Sequence, residues 1–333
     1  MTTSAGPAVV TVRDLTRRFG DLEAVRGDSF DVHEGEIFGF LGPNGAGKST
    51  TINMLCTLLR PTSGHAGIAG YDVTTQESDV RRSIGLVFQE TTLDERLSAE
   101  QNMRFHGMAY GMDPGERKQR TDLLLEMVEL ADRRTTRVDR FSGGMKRRLE
   151  IARGLLHRPR VLFLDEPTLG LDPQTRRRIW DYLLDLRERE GLTVFVTTHY
   201  MDEAEHADRI AVIDHGRIVA LDSPSALKAS LGGDRLTLST ADDEAAAAQI
   251  GRLLGEQPVL DDDGVIVQAS DGAAALPSLL REMTVPVERI EMRRPTLDDV
   301  FLAVTGRQMR DEETSEKDRL AATMAGRMRG RHP

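Results

Sequence analysis

Glu36-Ile37-Phe38-Gly39-Phe40-Leu41 runs without interruption into Gly42-Pro43-Asn44-Gly45-Ala46-Gly47-Lys48-Ser49-Thr50. The apolar run reads as a buried strand. The glycines that follow read as a tight turn, and a helix opens over roughly Gly47–Leu59, ended by Arg60-Pro61. Strand, glycine loop, lysine and helix in this order make a phosphate cradle. Glycine lets the backbone fold closely round an anion with its N–H groups turned inward. The helix start adds about half a positive charge. Lys48 supplies a full charge, the Ser49 hydroxyl can ligate Mg²⁺, and Thr50 can add a hydrogen bond to phosphate. An ordinary glycine-rich turn is the weaker reading, because the full pattern sits in its full context after a strand and opening a helix.

Outward from this stretch the chain alternates strand and helix. Ala8–Leu15, Glu23–Val32 and Ile84–Phe88 read as strands, as do Val161–Leu164, Thr193–Thr197 and Ile210–Ile213. Residues 99–131 read as two helices broken at Met112-Asp113-Pro114-Gly115, with Leu123, Leu124, Met127, Val128 and Leu130 as an apolar stripe. A helix over Gln174–Glu190 follows, and Asp214-His215-Gly216 reads as a hairpin turn into Arg217–Leu221. Such alternation predicts an α/β domain on a largely parallel sheet covered on both faces. Past Leu231-Gly232-Gly233 the order becomes strand (Arg235–Ser239), helix (Asp243–Leu254), strand (Val259–Asp262), strand (Val265–Ala269), helix (Ala273–Glu282) and strand (Val287–Met292). That order predicts a small α+β, ferredoxin-like domain, followed by a short helix over Thr296–Val304. The expected boundaries are 8–230 for the first domain, 234–306 for the second and 307–333 for a disordered tail.

Composition narrows the function. The 333 residues are 39% hydrophobic and 29% charged, enough apolar content for packed cores. No uninterrupted apolar run is long enough to cross a bilayer, and the first residues lack the pattern of a secretory signal. A single cysteine, Cys56, excludes an internal disulfide framework and a cysteine-based zinc site. A formal net charge of −10 argues against general affinity for nucleic acid. A protein of the cytoplasmic side that docks on a membrane or a partner fits these limits.

Two further stretches carry chemistry. Val161-Leu162-Phe163-Leu164 is a buried strand ending in Asp165-Glu166. Neighbouring strand residues point to opposite sides, so the two carboxylates can serve separate roles. Asp165 would hold Mg²⁺, and Glu166 would polarise an attacking water. Phe141-Ser142-Gly143-Gly144-Met145 precedes a helix over Lys146–His157. Alone it reads as a plain helix cap. With only one phosphate lysine in the chain, it also suggests a second anion-binding helix end, serving a nucleotide held by another copy. Arg147-Arg148 and Arg176-Arg177-Arg178 read as solvated helix faces, and Trp180 as a packing residue.

Taken together, these motifs resemble the nucleotide-binding subunit of ATP-binding cassette (ABC) transporters over residues 8–230. Gly42–Ser49 resembles its Walker A loop, Asp165-Glu166 its Walker B end, and Ser142-Gly143-Gly144 its signature. The resemblance extends to Gln89 as the Q-loop glutamine, His199 as the switch histidine, and Leu169-Gly170-Leu171-Asp172 as the D-loop. Phe19 stands where the family stacks an aromatic on adenine, usually a tyrosine. Phe141 and Met145 replace the family's usual Leu and Gln. Met145-Lys146-Arg147-Arg148 and Leu297-Asp298-Asp299-Val300-Phe301-Leu302 resemble the daunorubicin-resistance (DrrA-like) exporter branch, although that branch's type member is expected to carry glutamine at the position of His199.

The resemblance implies an ATPase with Mg²⁺, working as a homodimer on the cytoplasmic face of the membrane with an ABC-2-type permease on a separate chain. Its cargo would be a drug or hydrophobic natural product. It further implies that Lys48, Glu166 and His199 act in hydrolysis, that Ser49, Gln89 and Asp165 hold the metal, and that Gly42–Thr50, Ser142–Gly144, Asp172 and Phe19 bind nucleotide. The alternatives are a soluble ABC ATPase acting on ribosomes or DNA without a permease, and a regulatory module without useful turnover.

Overall fold

The computed structural model describes residues 6–261 and 264–307, in two compact units that divide between Leu221 and Asp222. The first unit opens with β1 (Ala8–Phe19) and β2 (Leu22–His33), then β3 (Ile37–Leu41) and α1 (Lys48–Leu55). There follow β4 (Ser63–Ile68), β5 (Tyr71–Asp72), α2 (Glu77–Ser83) and β6 (Ile84–Val87). A helical segment comes next, with α3 (Ala99–Ala109), α4 (Pro114–Met127) and α5 (Gly143–Gly154). The unit is completed by β7 (Val161–Asp165), α6 (Pro173–Glu190), β8 (Thr193–Thr198), α7 (Met201–Ala204), β9 (Arg209–Asp214) and β10 (Arg217–Asp222).

Six strands form the main sheet in the order β10-β9-β3-β8-β7-β6. The pairs β9–β3, β3–β8, β8–β7 and β7–β6 are all parallel. β3, β7 and β8 are buried at every residue, as an apolar run covered on both faces requires. Phe38, Phe40 and Phe163 pack round Phe195 with ring centroids 5.3–5.5 Å apart. The C-terminal ends of β3, β7 and β8 therefore share one edge of a rigid sheet, where open α/β sheets place ligands.

A second sheet, antiparallel and ordered β2-β1-β4-β5, was not legible between residues 63 and 72. Ser63–Ile68 contains two glycines, which weaken its strand signal. Gly64 sits at φ +84°, where a Cβ would lie 2.1 Å from the Asp14 carbonyl oxygen, so the close approach of β1 excludes a side chain there. The helix after the phosphate loop stops at Leu55, short of the expected Leu59. Thr57 turns left-handed at φ +61°, and the amides of Leu58 and Leu59 both donate to the Asn53 carbonyl. α5 is shifted toward the N-terminus of the expected helix. In the stripe of residues 123–130, Leu124, Leu125, Val128 and Leu130 are buried, whereas Leu123 is 50% exposed.

The second unit begins with α8 (Pro224–Ala229) and continues through β11 (Asp234–Thr240), α9 (Asp243–Leu254), β12 (Val259–Asp261) and β13 (Gly264–Ala269). α10 (Gly272–Glu282), β14 (Val287–Arg293) and α11 (Leu297–Thr305) complete it. Its antiparallel sheet has the order β12-β13-β11-β14, the ferredoxin-like arrangement expected from the βαββαβ order. Leu236, Leu238, Val265 and Val267 face Ala246, Ile250 and Leu279 in its core. α11 is started by a Thr296–Asp299 capping box, is ended by Gly306 at φ +75°, and packs against α8. The expected tail, from residue 308 onward, lies outside the described residues.

Candidate nucleotide site

The loop from Gly42 to Gly47 joins the end of β3 to α1. Gly42 donates its amide to the Thr198 carbonyl (3.3 Å), which fixes the loop to the end of β8. A Cβ on Gly42 would lie 2.3 Å from the Ile213 carbonyl oxygen, so β9 leaves no room for one. Gly47 stands at φ +109° before α1, and no side chain caps that helix. The first amides of α1 and its dipole are thus directed at the loop, as phosphate binding needs. Lys48 is buried, with Nζ donating to the carbonyls of Gly42 (2.7 Å) and Pro43 (3.0 Å) and lying 3.1 Å from Glu166 Oε1.

Asp165 and Glu166 diverge at the end of β7. Asp165 Oδ1 accepts from Ser49 Oγ (3.2 Å) and Thr197 Oγ1 (2.6 Å). These hydroxyl and carboxylate oxygens are the hard donors Mg²⁺ takes, so the residues fit that ion. Glu166 leaves the strand at φ +46°, and its amide donates to Thr197 Oγ1 (3.0 Å). Its carboxylate turns to Lys48 on one oxygen and to His199 Nδ1 (3.3 Å) on the other. Burial pushes the Glu166 carboxyl upward, but His199 and Lys48 outweigh it and hold the group below the usual range. Glu166 therefore carries its charge at neutral pH.

Ser142 caps α5, accepting from the Met145 amide (3.2 Å), and is exposed with Gly143. Gly144 lets α5 approach α6, since a Cβ would meet Thr175 at 2.4 Å. Thr175 donates to Asp172, the cap of α6, through its hydroxyl (2.6 Å) and amide (3.0 Å), and these bonds hold the Asp172 carboxyl low. Sequence reading thus yields two clusters. Lys48, Ser49, Asp165, Glu166 and His199 form one bonded set, whereas Ser142–Gly144 and Asp172 are brought together by the packing of Gly144 on Thr175. Phe19 is 45% exposed, with the Arg17 guanidinium 4.5 Å from its ring centroid. Gln89 is exposed just past β6.

Three groups escaped sequence reading. Thr197 binds both Asp165 and the Glu166 amide, and its only signal was a polar pair ending an apolar strand. Glu203, 1% exposed, accepts from Thr168, just after Glu166, and from Thr198 (2.8 Å), just before His199. Arg147 corrects an expectation. It was read as part of a solvated face, yet it is 6% exposed and its guanidinium grips the backbone around Gln89. Arg177 and Arg178 do face solvent.

A sequence model of the ABC transporter family matches residues 25–169. A second, described as the C-terminal domain of DrrA1-3-like ATP-binding proteins, matches residues 223–305. The chain is 40% identical to the daunorubicin resistance ATP-binding protein DrrA3 of Streptomyces coeruleorubidus, over 92% of this chain and 98% of that protein. It is 37% identical to the linearmycin resistance ATP-binding protein LnrL of Bacillus subtilis, over 91% of this chain and all of that one. Among solved structures, CbiO1 of Clostridium perfringens, part of an ABC transporter complex, superposes with a TM-score of 0.63 at 28% identity, covering 67% of this chain and 92% of that one. An ATP-binding cassette captured as a dimer in a post-hydrolysis state with ADP and Pi gives 0.59 at 30% identity, covering 64% and 98%. With its loop, acidic strand end and appended unit all matched, the chain belongs to the DrrA-like ATP-binding subunits of ABC transporters, and it binds and hydrolyses ATP.

Proposed function

We propose that this chain powers an ABC-2-type exporter of a drug or hydrophobic natural product, docked on the cytoplasmic face of the membrane against a permease encoded separately. The observation that carries this reading is the Lys48–Glu166–His199 cluster in a chain matched almost end to end by resistance ATP-binding proteins. Among the described residues no helix is long and apolar enough to cross a membrane, and in this reading a separate permease supplies the transport path.

In this reading two copies close over two ATP molecules. Lys48 and the amides of residues 42–50 hold the phosphates in one chain, with Phe19 against the adenine. Ser142, Gly143 and Gly144 of the other chain cover the same nucleotide, and Asp172 steadies that junction. Ser49 and Asp165, with Gln89, would hold Mg²⁺, which when bound offsets charge on the phosphate oxygens. Glu166, kept ionised by His199 and Lys48, accepts the proton of the attacking water. His199 contacts the γ-phosphate. Because phosphoryl transfer depends mainly on positioning and charge, a site divided between two chains can perform it.

The test is affinity purification of the tagged chain from detergent-solubilised membranes of its host, with partners identified by mass spectrometry. Co-purification of a multi-span permease is expected. Recovery of ribosomal or DNA-repair proteins, with the chain absent from the membrane fraction, would overturn the exporter reading.

A further inference from the structure

We infer that Arg147 and Glu150 are positioning residues that lock the Gln89 segment to the signature helix, so that Gln89 and Ser142 shift together. The inference rests on the roles proposed above for Gln89 and Ser142. Arg147 and Glu150 lie one turn apart on α5, five and eight residues past Ser142. Arg147 Nη1 donates to the Phe88 carbonyl (2.5 Å) and Nη2 to the Gln89 carbonyl (2.7 Å). Nη1 also lies 3.1 Å from Glu150 Oε2. The other Glu150 oxygen accepts the Thr92 amide (2.7 Å), and Arg153 Nη1, a further turn along, donates to the Thr92 carbonyl (2.9 Å).

The backbone of residues 88–92 is therefore held by side chains of one helix, not by a sheet ladder. Arg147 is 6% and Glu150 1% exposed. Burial opposes charge on both groups, raising the Glu150 carboxyl and lowering the Arg147 guanidinium, and each is offset in part by the other and by the backbone groups it binds. A lysine could not replace Arg147, because two diverging carbonyls need the planar fork of the guanidinium. Ser142 at the start of this helix faces outward, and Gln89 follows the last strand of the main sheet. A shift of α5 is transmitted to the Gln89 backbone through bonds that leave little slack.

Removing Arg147 alone would strand a buried carboxylate and endanger the fold. The informative variant therefore replaces the pair by apolar side chains, Arg147→Met with Glu150→Leu, in the full chain, beside Arg147→Lys. Three quantities are read: thermal midpoint, amide exchange over residues 88–92, and kcat against KM for ATP. The expected result for the apolar pair is a midpoint close to wild type. Exchange at Thr92 should be about tenfold faster, and kcat should fall about tenfold with KM nearly unchanged, the mark of an interaction made after binding. Arg147→Lys should change in the same direction, by less. Wild-type kcat in the apolar pair with fast exchange at Thr92 would overturn the inference, as would exchange that stays slow. Ser142→Ala and Gln89→Ala run in parallel. Wild-type kcat in those two would overturn the composite-site reading instead.

Discussion

At α1 the glycine-rich start is completed by its own chain. Lys48 is buried against two loop carbonyls and Glu166, Ser49 reaches Asp165, and Gly42 and Gly47 are pressed against β9 and β2 so that no side chain fits. At α5 the glycine-rich start is complete only as a helix cap. Ser142 and Gly143 face outward, and Gly144 serves the contact with α6. Both helices offer free amides and a dipole, but only the first has a cation and paired carboxylates behind it. In the reading proposed above, the first motif holds its ligand within the chain, while the second covers a ligand held by another copy.

The largest test of this contrast lies on the first side. Glu166→Gln should retain ATP binding and lower turnover by about 10²–10³-fold, as loss of a positioned base does; phosphate release and a fluorescent nucleotide titration read the two effects. Turnover at the wild-type rate would remove Glu166 from its role. Next, Gly47→Ala places a Cβ 2.6 Å from the Ala24 carbonyl oxygen at φ +109°. It should cost about 1–3 kcal/mol in denaturant unfolding and abolish nucleotide binding; unchanged binding would mean that the loop tolerates displacement.

On the second side, Ser142→Ala should cost about 1 kcal/mol through the lost cap. ATP affinity of the single chain should stay unchanged while turnover falls about tenfold. Loss of affinity in the isolated chain would show that the two starts are not separate in function.

The smallest effect lies away from both. Asp28 is buried and accepts the Ile218 amide (3.0 Å), and burial pushes its carboxyl up to about 6 from 3.8. The folded chain thus holds this proton to higher pH than the unfolded chain. The stability it contributes is present below pH 3.8 and is lost as pH rises through 6. Asp28→Asn should raise stability by about 1 kcal/mol at pH 7.5, with the gain disappearing toward pH 4 in thermal melts.

The legible parts were those where one local rule decided the outcome. Ile37–Leu41 reads as a buried strand from its apolar run alone, and it is buried at every residue, while the loop after it reads as a cradle from the full motif in its context. The alternation in Arg235–Ser239 and Val265–Ala269 fixed their faces in the second unit. Gly64 was illegible because its cause, the approach of Asp14, lies fifty residues away in the chain. Arg147 was illegible for a related reason. Beside Lys146 and Arg148 it belongs to a charge run, and nothing local reveals that its partners are carbonyls at 88 and 89. Leu123 failed in the opposite sense, since the apolar stripe of α4 is narrower than its composition.

The packing of α8 against α11 has a consequence for inheritance. These helices are the first and last described helices of the second unit, and Leu227, Leu297, Val300 and Phe301 are buried. Its first and last described helices thus lie side by side, and among the described residues the chain passes from one unit to the other once, past Leu221. A segment closed on itself in this way can be gained, lost or exchanged by recombination at a junction just past β10, without unpicking any strand of the ATPase sheet.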